Sequence, residues 1–241
     1  MAEPFTSTRD DAEIRKFGAL AAEWWNPNGP FGALHRLNPL RLQYIRELAG
    51  DAGVTRRPLA GLDALDLGCG GGLVSAPLAR MGARVTAIDA APESVGAARA
   101  YAEQAGLEID FRCTTAEELA ASGARFDLVT ALEIIEHVAD VSAFLAAATA
   151  LLKPNGLLVL STINRTAKAR AFAIIGAEKI LKWAPEGAHD FDKLVTPEEI
   201  RAGAPEVDWL EPEGLSYEPL GRGWTRSRDI SINYLMAGRK R

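Results

Sequence analysis

The chain holds 241 residues, 48% of them hydrophobic, with a formal net charge of −5. That length suits one α/β domain with a sizeable core, and the acidic balance argues against a general nucleic-acid surface. No apolar run approaches the roughly 20 residues of a membrane span, and the opening MAEPFTSTRDD has acids and no apolar centre, so no signal peptide is expected. Cys69 and Cys113 form no metal pair by spacing and read as reduced thiols, as in a cytoplasmic protein.

Residues 1 to about 55 read as a helical extension. Apolar residues recur at helical intervals between Asp10 and Trp25 (Ile14, Phe17, Leu20, Ala21, Trp24). Asn26-Pro27-Asn28-Gly29-Pro30 breaks that pattern, and Leu40 to Leu48 predicts a second helix. From Leu62 strand and helix alternate. Strands are predicted at 62–67, 84–88, 108–113, 126–131 and 156–162, with helices at 73–81, 92–105, 116–121 and 141–152. This alternation predicts a parallel sheet wound on both sides with right-handed crossovers. An irregular insert spans about 164–195. Thr196-Pro197-Glu198-Glu199 then reads as a capping box with proline at the first helical position, and late strands are predicted near 214–220 and 229–237. The whole chain reads as a single domain.

The run Asp66-Leu67-Gly68-Cys69-Gly70-Gly71-Gly72 lies between a predicted strand and a predicted helix. Glycines there permit a tight turn and let a ligand touch the backbone. A dinucleotide fingerprint counted from Gly68 needs glycine where Leu73 stands, and counted from Gly70 it needs glycine where Ser75 stands. The observed acid-x-G-x-G-x-G pattern resembles instead the S-adenosylmethionine (SAM) loop of class I methyltransferases. Asp66 would orient that loop or hold the SAM amino group. Asp89 closes the second predicted strand, where a carboxylate can accept from both hydroxyls of a ribose. The plainer account of Asp89 is a helix N-cap.

Glu133-Ile134-Ile135-Glu136-His137 follows the strand at 126–131. If a helix begins there, Glu133, Glu136 and His137 share one face at the carboxyl edge of the sheet, as oxygen-rich ligands for Mg²⁺, Mn²⁺ or Zn²⁺. A solvated helix face is the alternative. Arg41 reads either as a solvated arginine or, if the extension folds over the cofactor, as a clamp on the methionine carboxylate. His189-Asp190 is a polar loop pair or a substrate-facing base. Trp24, Trp25 and Phe31 read as packing residues. Arg165 to Trp183 mixes five basic residues with Phe172, Ile174, Ile175, Ile180, Leu181 and Trp183, a composition suited to an anionic membrane surface.

Six segments in order carry a wider resemblance: Glu23-Trp24-Trp25, His35 to Arg41, Leu67 to Gly72, Glu133 to Val138, Ser161 to Arg165 and Gly187 to Asp190. Together they resemble the ubiquinone-biosynthesis O-methyltransferase family over nearly the whole chain. The resemblance implies a Rossmann-like class I methyltransferase fold, with a seven-stranded, mostly parallel sheet, its last strand antiparallel, and an N-terminal helical extension. It implies SAM-dependent O-methylation of polyprenylated catechols, namely 2-polyprenyl-6-hydroxyphenol and 3-demethylubiquinol. SAM contacts are implied at Arg41, Gly68, Asp89 and Leu132, and a divalent metal (Mg²⁺ or Zn²⁺) at Glu133, Glu136 and His137. A polyprenyl acceptor further suggests peripheral contact with an anionic membrane and membership of a quinone-biosynthesis complex. Two rivals stand beside this reading: a metal-independent SAM methyltransferase for a small soluble acceptor, and a non-catalytic SAM-binding member of such a complex.

Overall fold

The computed structural model describes residues 8–51, 53, 56–171, 191–218 and 223–241. Five strands, β1 (Asp63–Leu67), β2 (Arg84–Asp89), β3 (Ile109–Cys113), β4 (Phe126–Leu132) and β5 (Leu152–Ile163), pair in parallel. Four more, β6 (Val207–Trp209), β7 (Glu213–Glu218), β8 (Gly223–Ser227) and β9 (Asn233–Lys240), complete one sheet by antiparallel pairing. Its order is β3-β2-β1-β4-β5-β9-β7-β8, with β6 also on β9, so the described residues hold nine strands rather than seven. The additions are β6, three residues long, and β8, which is half-buried along its whole length and carries no alternating apolar pattern.

Both faces of the sheet are covered, so its central strands are apolar without alternation. One face packs α5 (Ala116–Ala121), α6 (Val141–Ala150) and α8 (Pro197–Gly203) over Leu65, Leu67, Val129, Leu158 and Leu160. The other packs α2 (Gly32–Ala49), α3 (Ser75–Arg80) and α4 (Pro92–Gln104) over Ala64, Val85, Leu128 and Val159. Two further helices, α1 (Asp11–Ala19) and the one-turn α7 (Ala167–Ala169), lie outside these layers. The Thr196–Glu199 capping box forms as the sequence predicts, and Thr115 and Glu118 cap α5 in the same way.

The second helix begins at Gly32, well before Leu40, because Pro39 lies inside α2 rather than at its start. Proline there withholds one N–H from the carbonyl of His35. Asn38 beside it points its amide away from the helix, donating to the Leu73 carbonyl at 2.8 Å. That bond ties the extension to the glycine loop.

Candidate active site

The loop after β1 is fixed by backbone bonds to the neighbouring strand. Cys69 N–H donates to the Ile88 carbonyl at 2.9 Å, and Gly70 N–H to Asp89 Oδ2 at 2.8 Å. Gly68 and Gly70 have φ of 66° and 51°, the left-handed region that favours glycine. A Cβ on Gly68 would lie 2.5 Å from Ile134, and one on Gly70 would lie 2.4 Å from the Trp24 ring. The other oxygen of Asp89 accepts from Ala91 N–H at 2.8 Å. Asp89 is therefore a clasp between loop and strand rather than the N-cap of α4, a position held by Ala91. Burial pushes its carboxyl up, against the pull of these backbone donors.

Over the carboxyl ends of the central strands lies a cavity enclosing about 800 Å³ of empty space, part of it open to solvent. Gly68, Gly70, Asp89, Glu133 and His137 are in its wall, together with Asp10, Ile14, Phe17 and Trp24 from the extension. Asp66, Leu132, Arg41 and Glu136 do not line it. Leu132 packs instead with Leu37 and Leu235 in the core below. Trp24 and Phe31 stack at 3.7 Å between ring centroids, so they pack as the sequence predicts, while Trp24 also reaches the cavity. His189 and Asp190 lie outside the described residues.

Asp66 is buried and accepts from Ser75 Oγ at 2.5 Å and Thr130 Oγ1 at 2.8 Å. Burial raises its carboxyl to about 6. A carboxyl raised on folding binds its proton more tightly in the folded state, so its contribution to stability is full below about pH 4 and declines as pH rises through 6. At about 1.4 kcal/mol per pKa unit the decline is about 3 kcal/mol. Asp66→Asn cannot ionise and is expected to lack it. Between pH 4 and 7, urea denaturation should show the variant gaining about that much relative to wild type. A pH-independent difference would mean that Asp66 ionises in the fold at no cost.

The convergence expected of Glu133, Glu136 and His137 on a helix face does not occur. Glu133 has φ of 53° and ends the strand in a left-handed conformation, and only a single 3₁₀ turn follows, Ile135–His137. Glu133 Oε1 accepts from Ser161 Oγ at 2.7 Å and lies 2.6 Å from Arg41 Nη2, both Arg41 and Glu133 being largely shielded from solvent. Glu136 is buried with its carboxyl pushed up to about 7, by burial first and the charge of Glu133 second. Its Oε2 has no hydrogen-bond partner among the described residues. His137 Nδ1 is 3.0 Å from Glu13 Oε2, and that hydrogen bond is the main reason the Glu13 carboxyl falls below its ordinary range. Among the described residues no group of three or more His, Cys, Asp or Glu side chains is arranged to hold a metal ion. The three side chains do not fit a shared divalent ion in this arrangement, since Glu133 and His137 face other partners.

Sequence reasoning did not single out Glu13, Ser75 or Thr130, and met Ser161 only at the start of a resembling segment; each fixes one of the polar groups above. Nothing in their local spacing marks them, because every partner lies on another element.

A glycine loop after β1, an acid closing β2 and an antiparallel strand beside β5 define the class I SAM-dependent methyltransferase fold. A family model described as a methyltransferase domain matches residues 65–160. Among solved structures, magnesium protoporphyrin IX methyltransferase from Synechocystis PCC 6803 with bound S-adenosylhomocysteine (SAH) shares this fold. It has 18% identity and a TM-score of 0.65, over 96% of this chain and 99% of that one. An N-methyltransferase from Bradyrhizobium japonicum WM9 in complex with SAH matches at 19% identity and a TM-score of 0.59, over 95% and 97% of the two chains. Sequence relatives go further. A ubiquinone biosynthesis O-methyltransferase of Cereibacter sphaeroides is 51% identical over 96% of this chain and 97% of its own. One of Rhizobium etli is 45% identical over 100% and 99%. The chain belongs to the ubiquinone biosynthesis O-methyltransferase family.

Proposed function

We propose that this protein is a SAM-dependent O-methyltransferase of ubiquinone biosynthesis, acting on the polyprenylated catechols 2-polyprenyl-6-hydroxyphenol and 3-demethylubiquinol. The observation that carries the cofactor site is the cavity bordered by Gly68, Gly70 and Asp89, at the switch point where α/β sheets bind nucleotides. Asp89 keeps free lone pairs for a ribose diol beyond its two backbone donors. Arg41 lies outside the cavity wall and would act on the methionine end of SAM through Glu133, which it holds at 2.6 Å and which lines the cavity. Asp66 and Leu132, outside the cavity wall, would act by supporting the loop and the strand end.

Methyl transfer from a sulfonium is an in-line displacement, so catalysis is alignment plus removal of the phenol proton. Among the described residues, His137 supplies the imidazole in the cavity wall. With Nδ1 turned to Glu13, its Nε2 is the nitrogen left to take that proton. A divalent ion on Glu133, Glu136 and His137 would lower the phenol pKa as a Lewis acid, but the arrangement described does not fit one, and no step here depends on it.

The acceptor's tail adds a membrane to the proposal. Desorbing a polyprenyl chain costs roughly 0.8 kcal/mol per CH₂, so the protein would meet its substrate at an anionic bilayer, alone or within a quinone-synthesis assembly. No helix among the described residues is long and apolar enough to cross a membrane. Of the basic stretch 165–183, residues 172–183 lie outside the described part. Arg165 pairs with Glu199 and Lys168 with Asp229, exposed pairs that a headgroup phosphate can replace.

The test is labelled methyl transfer from SAM to a short-tailed demethylubiquinol, with SAM affinity measured alongside. Asp89→Ala is expected to weaken SAM binding by about 10- to 150-fold, the worth of charge-assisted hydrogen bonds left unmade. Wild-type affinity in that variant would remove the ribose role. SAM binding without turnover on any catechol would favour the non-catalytic rival. The same assay with a long-tailed acceptor in anionic vesicles should lose activity as salt rises, while the short-tailed reaction does not. Equal salt sensitivity would remove the membrane.

A further inference from the structure

We infer that α1 is a hinged roof through which the cofactor enters and leaves, and that its latches set the rate of exchange. The inference rests on the cofactor site proposed above.

The walls of the cavity differ in how they are held. Its floor is the glycine loop and the ends of β1, β2 and β4, all built into the sheet. Its roof is α1, which supplies Ile14 and Phe17, with Thr8, Arg9 and Asp10 leading into it. None of the nine residues of α1 is buried. A helix that short gains little from propensity alone, so its contacts decide whether it stays in place.

Those contacts are mostly polar. Glu13 Oε2 meets His137 Nδ1 at 3.0 Å, and Lys193 Nζ donates to Asp10 Oδ2 at 2.9 Å. Thr8 accepts from Ala139 N–H at 2.9 Å and donates its hydroxyl to Glu117. The apolar contacts are those of Phe17, which packs on the Trp24, Phe31 and Leu73 cluster, 6.4 Å from the Phe31 ring, and meets the His137 ring edge-on at 4.9 Å between centroids. Each polar contact can be exchanged for one with water. Opening the roof therefore also costs the packing of one partly buried side chain, Phe17, and leaves the two clusters that cover the sheet intact.

The chain just beyond α1 is fixed. Trp24 is buried, stacked on Phe31, and donates to Ser94 Oγ at 3.2 Å. Trp25 donates to the Gly71 carbonyl at 2.8 Å and stacks on Tyr101 at 3.3 Å. Motion of α1 must then be taken up between them, at Leu20 and the 3₁₀ turn Ala21–Glu23. The Lys193 latch belongs to the turn Phe191–Lys193, which resumes the described chain after residue 190. The roof is thus fastened both to the end of the 164–195 insert and, through His137, to the turn after β4.

Two measurements test this with SAH as the probe. By hydrogen exchange, α1 amides of the cofactor-free protein should exchange at least tenfold faster than those of β1 and β4, and SAH should slow them at least tenfold. In stopped-flow, Lys193→Ala should release SAH at least threefold faster than wild type, with Lys193→Arg restoring the slow rate. Cofactor-free α1 amides as protected as β1, or SAH release unchanged in Lys193→Ala, would overturn the roof while leaving the cofactor site in place. Calorimetry showing no SAH binding at all would remove the site, and the roof with it.

Discussion

An Arg41→Ala protein is expected to lose about 3–5 kcal/mol of folding stability, because it strands a carboxylate whose partner was buried with it. The pair is 2.6 Å apart, and its side chains are 2% and 13% exposed. Glu133 would keep only the Ser161 hydroxyl as its donor. Water reaching the new space would lower the cost, so a loss under about 1 kcal/mol, the range of an exposed pair, would show that the pair is not sealed. Arg41→Ala combined with Glu133→Gln should recover much of the loss, since no charge is then left alone. Chemical denaturation of the three proteins measures this directly. The proposed cofactor adds a second readout: the single variant should bind SAM at least tenfold more weakly.

Gly70→Val is expected to abolish measurable SAM binding and to cost about 3 kcal/mol in stability. The strain has two sources. A β-branched residue is forced to φ of 51°, and its Cβ meets the Trp24 ring at 2.4 Å. Trp24 cannot yield easily, being stacked on Phe31 and bonded to Ser94. Gly96→Ala is the control: it lies in α4 with nothing within 4 Å of the new Cβ, and should be neutral or stabilising by up to about 1 kcal/mol. Calorimetric SAM affinity of a Gly70→Val protein with native near-ultraviolet dichroism separates lost binding from lost fold. Wild-type affinity there would mean that the cofactor does not approach the loop backbone.

The parallel half of the sheet was legible because its central strands β1, β4 and β5 are buried on both sides and written as short apolar runs between turns. The glycine loop and Asp89 were legible because turn geometry demands particular residue types at fixed offsets. Local pattern carried no further than that. Pro39 marks a helix start in sequence and sits inside α2, where Asn38 and the packing of Leu37, Tyr44 and Ile45 hold the helix through it. Glu133 to His137 has helical spacing, yet Glu133 is turned out of helix by its bonds to Ser161 and Arg41, partners 28 and 92 residues away. The amphipathic rhythm of Asp10 to Trp25 predicts a helix but not the cavity beneath it. The half-buried β8 carried no period-two signal at all.

The place of β9 has a consequence for synthesis. It pairs with β5 along seven residues, from Ile163↔Asn233 to Leu157↔Arg239, partners that lie 70 to 82 residues apart in the chain (233 − 163 and 239 − 157). A ribosome adding 5–20 residues per second needs roughly 4–14 s to cover the shorter gap. Throughout that interval β5 offers unpaired backbone along a strand of leucine and valine, while β1 to β4 can already associate. An open apolar edge of that kind invites pairing with another chain. The nascent protein is therefore most exposed to misassembly after its cofactor loop has been made and before β9 emerges, and chaperone demand should concentrate there.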